Sequence, residues 1–198
     1  RIEPAALFLL AHRVQVDQEE ALAAPQQVAP LAVAMGEAGQ VERGQGVCRA
    51  AHEQALWFIL NVPNDPDALP PVLDLEWNGH SRSCPKRIPV KLALEKIKIM
   101  LEVMESHTGK RPIIYTDVAF HREVLEGQLP GYNFWLRSVA AEPHEIYRNR
   151  PWLFWQFTTT GYVSGIDKPV DRNVFNGTPA DWRQVLPQRA PKRSARTD

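Results

Sequence analysis

Pro70-Pro71-Val72-Leu73-Asp74-Leu75-Glu76-Trp77-Asn78 is the stretch on which the fold turns. Val72, Leu73 and Leu75 form a short apolar run that reads as a buried strand. Residues two apart on a strand point to the same face. Asp74 and Glu76 therefore project together, with Cα atoms roughly 6.5 Å apart at about 3.3 Å per residue. Two carboxylates on one side of a buried strand are costly unless they have a task or a partner. Side by side they resist ionising together, which raises one pKa and keeps a proton available for donation. The competing explanation is a strand end whose acids meet water or basic neighbours.

Outward from this strand, the chain alternates helix and strand signals. Ala51 to Leu60 suits a helix with Ala55, Phe58 and Ile59 on one side. Val90, Leu94, Ile97, Leu101 and Met104 recur at the spacing of one helical stripe, and Gly109 marks its end. Pro112 to Thr116, Asn133 to Arg137 and Trp152 to Phe157 read as strands, with a short helix from His121 to Leu125. Strands alternating with helices predict parallel βαβ units and an α/β fold. Asn64-Asp65-Pro66-Asp67 is a turn, and residues 78–89 form a Gly-, Ser- and Pro-bearing loop.

The chain of 198 residues fits one domain with tails. Formal net charge is zero, which argues against nucleic acid as the main partner. No apolar run approaches the roughly 20 residues needed to span a membrane. Ala5 to Ala11 makes a poor signal peptide, because mixed charge precedes it and no cleavage pattern follows. Composition breaks near residue 46. The first 45 residues hold ten Ala, six Gln and a single aromatic, Phe8, whereas all six Trp and all four Tyr come later. This segment reads as one or two loose helices interrupted by Pro4, Pro25 and Pro30, partly helical or poorly ordered. Residues 188–198 read as a basic, disordered tail.

Several rings accompany the acids. Trp77, Trp135 and Trp155 fall at or beside strands, and flat rings with a polar tip suit either a sugar face or a core. Asp171, in Lys168-Pro169-Val170-Asp171-Arg172-Asn173, is a third acid, equally readable as a turn residue. Other chemistries lack their motifs. There is no G-x-S-x-G around Ser138 or Ser164, no glycine-rich phosphate loop and no paired His or Cys with metal-ligand spacing. No metal or cofactor is expected. Cys48 and Cys84 could form one disulfide in an exported protein or remain two buried thiols.

Five blocks in order now carry a resemblance: Pro-Val-Leu-Asp-Leu-Glu-Trp, Gly-Lys-Arg-Pro-Ile-Ile-Tyr-Thr, Phe-Trp-Leu-Arg, Trp-Leu-Phe-Trp-Gln-Phe and Val-Asp-Arg-Asn-Val-Phe. Over about residues 46–187 the chain resembles the glycoside hydrolase family 25 lysozymes, the Chalaropsis-type muramidases. The resemblance implies a TIM-like β/α barrel with acids at the C-terminal ends of strands. It implies hydrolysis of the β-1,4 bond between N-acetylmuramic acid and N-acetylglucosamine in peptidoglycan. Glu76 then matches the general acid, Asp74 its partner, and Asp171 a further acid of the site. Trp77 belongs to the acid-bearing block, and Tyr115, Trp135, Trp155 and Gln156 fall where the family lines its groove. Cys48 and Cys84 fall where some bacterial members carry a cysteine pair. The implied partner is a peptidoglycan glycan strand, met outside the cell or in its envelope by a monomer.

The resemblance stops at residue 46. The family opens with Gly-x-Asp-x-Ser-x-x-Gln, whose Asp also lines the site, and nothing in residues 1–45 matches it. The barrel is thus expected to be incomplete at its N-terminal side, and the segment to be a frameshifted or otherwise divergent stretch. The alternative to an active hydrolase is a catalytically impaired peptidoglycan-binding remnant, or the product of a damaged gene.

Overall fold

The computed structural model describes residues 50–77 and 87–186. The expectations for residues 1–45, for Cys48 and Cys84, for most of the 78–89 loop and for the basic tail lie outside these residues. Chain order is α1 (Ala51–Asn61), β1 (Val72–Leu75), α2 (Val90–Thr108), β2 (Ile113–Asp117), α3 (Val118–Phe120) running into one π-helical turn (His121–Leu125), β3 (Asn133–Arg137), α4 (Pro143–Ile146), β4 (Phe154–Gly161), β5 (Val170–Phe175) and α5 (Pro179–Val185). The strands form one sheet in sequence order, β1-β2-β3-β4-β5. The first four are parallel, and β5 returns antiparallel to β4. The fold is therefore mixed α/β, with the parallel units that the alternating pattern predicts and one antiparallel strand that it does not.

The helix-facing side of the sheet carries most of the core. Leu73, Leu75, Ile114, Phe134 and Leu136 pack against Ala93, Ile97, Met100, Leu101 and Met104 of α2 and against Phe120. The predicted stripe holds from Leu94, half-buried against the core, to Met104, but Val90 is 45% exposed in the first turn and Ala93 and Met100 join the buried side. Helix α2 ends as its sequence implies: Gly109 takes a left-handed φ of 66° and donates its N–H to the Glu105 carbonyl at 2.8 Å. Helix α1 docks through Phe58, fully buried edge-on against His107 at 5.5 Å. Ile59, expected beside Phe58, instead points outward at 44% exposure. The reason is angular: Ala51, Gln54, Ala55 and Phe58 already complete a stripe at spacings of three, one and three, and Ile59 falls past its edge.

The other side of the sheet has a smaller core of Val72, Ile113, Trp135, Phe154 and Phe175, with Tyr115 and Trp182 packed on it. Trp182 comes from α5, which begins with a capping box between Thr178 and Asp181. This face bears the acids.

Candidate active site

Strand alternation decides which side chains meet. On β1, Leu73 and Leu75 enter the helix-side core while Val72 packs with the smaller one, so Asp74 and Glu76 belong to the smaller-core face. Asp74 is exposed and Glu76, just past the strand, is half-buried. Val72 is buried on this face too, but the strand opens to solvent at Asp74, so the acid pair is not sealed in the interior as the apolar run suggests.

Parallel register brings the neighbours. Asp74 lies opposite Tyr115, Tyr115 opposite Trp135, and Asp117 opposite Arg137, which in turn faces Gln156. Gln156 pairs with Asn173 on β5. Because β5 runs backwards, its first residues lie at the C-terminal end of the parallel strands. Asp171 therefore stands at the same end as Glu76, although 95 positions separate them in the chain.

Two hydrogen bonds knit this face, and each passes over a strand. The Tyr115 hydroxyl on β2 donates to Oε1 of Gln156 on β4 at 2.7 Å. Nε1 of Trp135 on β3 donates to Oδ1 of Asn173 on β5 at 2.8 Å. Gln156 and Asn173 are both buried, so these bonds satisfy polar groups that burial would otherwise penalise. The Tyr115 ring also meets Trp135 edge-on at 5.7 Å.

The charges converge on Tyr115. Burial pushes its hydroxyl far above the ordinary tyrosine pKa, and the carboxylates of Glu76 and Asp74 add to the rise. Asp171 contributes in the same direction and Arg137 opposes it. The Tyr115 hydroxyl thus stays protonated and remains a donor. Tyr147 is likewise raised, by burial and then by Asp117, with Glu76 contributing, and its hydroxyl donates to the Arg137 carbonyl.

The residues expected at the site divide between two faces. Asp74, Glu76, Tyr115, Trp135, Gln156 and Asp171 gather on one. Trp77 turns to the other: it stacks on Phe120 at 4.7 Å, donates to Glu123 at 2.9 Å and packs against the helix-side core. Trp155 follows the parity of Leu136, lies near Trp152, and donates to the Ser138 carbonyl at 2.8 Å. The physical reason is the same alternation that unites the acids, since Trp77 is one residue from Glu76 and Trp155 one from Gln156. Asp117, Arg137 and Asn173 join the acid face without having been singled out. Each lies two residues from one that was, namely Tyr115, Trp135 and Asp171, so the spacing applied to Asp74 and Glu76 identifies them too. Among the described residues no group of three or more His, Cys, Asp or Glu side chains could hold a metal ion.

Comparison with known proteins places the chain in a family. The profile of Glycosyl hydrolases family 25 matches residues 46–166. YegX of Escherichia coli is 32% identical over 155 residues, covering 70% of this chain and 52% of that protein. A lysozyme of Streptomyces globisporus is 28% identical over 140 residues, covering 64% and 45%. The chain spans about half the length of the curated relatives it matches. Among solved structures, a family 25 glycosyl hydrolase from Bacillus anthracis superposes with a TM-score of 0.62 at 31% identity, over 70% of this chain and 64% of that one. A bacterial lysozyme from Streptomyces coelicolor gives 0.58 at 26% identity, over 72% and 68%. With the acid-bearing strand, the sheet and the profile match in agreement, this chain belongs to glycosyl hydrolases family 25.

Proposed function

We propose that the chain is a peptidoglycan hydrolase that cleaves the β-1,4 bond between N-acetylmuramic acid and N-acetylglucosamine. Glu76 is the general acid in this reading. It gives its proton to the glycosidic oxygen as the bond to the sugar carbon breaks. Asp74 and Asp171 stabilise the positive charge that develops on the sugar. Tyr115, its proton held by Gln156, presents its hydroxyl oxygen to the substrate as an acceptor, with Trp135 and Gln156 as the floor beneath it. Trp77 and Trp155 contribute from the flanks, by fixing the segments that follow β1 and β3.

The observation that carries the reading is the register that sets Asp74 beside Tyr115 and brings Asp171 of β5 to the same end of the sheet as Glu76, with all three carboxylates raising the Tyr115 hydroxyl. Glycoside hydrolysis asks for paired carboxyl groups on either side of one bond, one to donate a proton and one to meet positive charge. Family membership and the likeness to two lysozymes support the same chemistry.

The reading extends to architecture and setting. The catalytic domain is residues 46–187, flanked by an atypical segment at 1–45 and a basic tail at 188–198. Its sheet is part of a TIM-like barrel, acting as a monomer outside the cell or in its envelope. The curl is supported by the two hydrogen bonds that bridge over a strand, because neighbouring strands lie about 4.8 Å apart and a concave face brings alternate strands together.

A turbidity assay on purified cell walls tests the assignment. The full chain should clear the suspension and leave muramic acid at the new reducing ends. Glu76→Gln should lower the rate by about 100-fold or more, in line with loss of a general acid. Equal clearing by both proteins would remove Glu76 from the mechanism.

A further inference from the structure

Arg137 is the cation of this site, and strand register is what sets it there. It ends β3, in register with Asp117 on one side and Gln156 on the other, so it shares the face of Tyr115 and Trp135. Its backbone is anchored twice. The Arg137 carbonyl accepts the Tyr147 hydroxyl, and the next N–H, of Ser138, donates to the Gln156 carbonyl at 3.1 Å. Yet among the described residues its half-buried guanidinium makes no ion pair within 4.0 Å. Arg87 pairs with Glu123, Arg148 with Glu126, and Arg150 bonds His121 and two carbonyls.

A planar fork of donors on a fixed strand end is suited to a carboxylate. The surroundings explain why one is needed. Of the four charged groups felt at the Tyr115 hydroxyl, three are acids and Arg137 is the only cation. A surface of that sign repels an anionic ligand unless a positive group offsets it. A neutral glycan built of N-acetylglucosamine alone gives such a cation nothing to bind.

We propose that Arg137 is a specificity residue that binds the carboxylate carried by the muramic-acid-type sugar, and so selects acidic wall glycan over neutral amino-sugar polymers. This rests on the hydrolase reading for the identity of the glycan, but not for the charge preference itself. Arg137 holds the ring substituent and takes no part in proton transfer.

The test is calorimetric titration of the full chain with the disaccharide N-acetylglucosaminyl-β-1,4-N-acetylmuramic acid. That sugar lacks the bond to be cleaved, so it is not consumed. The same disaccharide with its carboxyl reduced to an alcohol is the control. The native chain should prefer the carboxylate by about tenfold or more, the worth of one hydrogen bond to a charged group. Arg137→Gln should abolish the preference while leaving affinity for the reduced sugar unchanged, and Arg137→Lys should keep part of it. A preference that survives in Arg137→Gln, an equal loss for both sugars, or no preference in the native chain would overturn the assignment. Wall clearing measured alongside separates the two readings. Selective binding without clearing would sink the hydrolase and leave Arg137 standing, whereas clearing without selectivity would sink Arg137 alone.

Discussion

The Tyr115 hydroxyl and the Gln156 side chain meet at 2.7 Å across the intervening strand β3, in the only described hydrogen bond of either side chain's polar end to the other sheet strands. The bond fixes the Tyr115 oxygen where the charges of Glu76, Asp74 and Asp171 are felt. Tyr115→Phe deletes the donor and leaves buried Oε1 of Gln156 without its partner. We expect a loss of about 1–3 kcal/mol in stability, the cost of an orphaned buried acceptor. Urea unfolding of both proteins measures it. Wall clearing should fall at temperatures where the variant is still folded; unchanged clearing there would remove Tyr115 from substrate contact.

Stability should respond to pH through His121. This ring is buried, accepts a hydrogen bond from Nε of Arg150 at 3.0 Å, and is held down to a pKa of about 4 by burial first and the Arg150 charge second. Its pKa in the unfolded chain is near 6.5. The folded state binds the proton less well, so stability is full above about pH 6.5, declines as pH falls toward 4, and levels off below. The drop from this group is at most about 3 kcal/mol. Melting temperatures across that interval should show the slope, and His121→Asn should flatten it. A native profile without slope between those values would refute the neutral, Arg150-bonded histidine.

Phe58→Ala reports on the docking of α1. The ring is fully buried between α1 and α2, with His107 edge-on against it. Truncation leaves a large cavity and should cost about 3–5 kcal/mol. Chemical denaturation gives the value. A cost below about 1 kcal/mol would mean that α1 contributes little to the folded core.

Gly161 is a steric test of the β4–β5 hairpin. A Cβ there would lie 2.3 Å from Cδ and 2.5 Å from Cγ of Arg172, with the Val170 carbonyl at 3.1 Å. Gly161→Ala should displace Arg172 and cost about 1–3 kcal/mol by overpacking. Because Asp171 is the neighbour of both contacted residues, clearing should fall more than thermal stability predicts. Parallel melting and clearing measurements decide it; a fully active variant would detach Asp171 from the reaction.

Much of this fold is legible in the residues. The stripe of α2 and the apolar run of β1 are read directly because each is a periodic pattern with a burial consequence. The antiparallel direction of β5 is not, since Val170 to Phe175 runs three polar residues together without a clear alternation and direction is set by the hairpin that precedes it. The split of Trp77 and Trp155 from the acid face is legible in principle from parity alone. It is masked by their nearness in sequence to Glu76 and Gln156. Arg137 and Asn173 escape notice for a different reason. Neither is unusual as a residue type; their two-residue spacing from Trp135 and Asp171 is the available signal, and cross-strand register beside Gln156 is what gives it weight.

The acids come from the two outer strands, Asp74 from β1 and Asp171 from β5, and only inward curvature lets both act on a tyrosine of β2. Shape is thus a reactant in its own right here. A collapsed intermediate could hold every strand and every helix, give a native circular dichroism spectrum, and still have its carboxylates too far apart for the proposed reaction. For this chain, ligand binding should be the last property gained in refolding and the first lost on gentle denaturation.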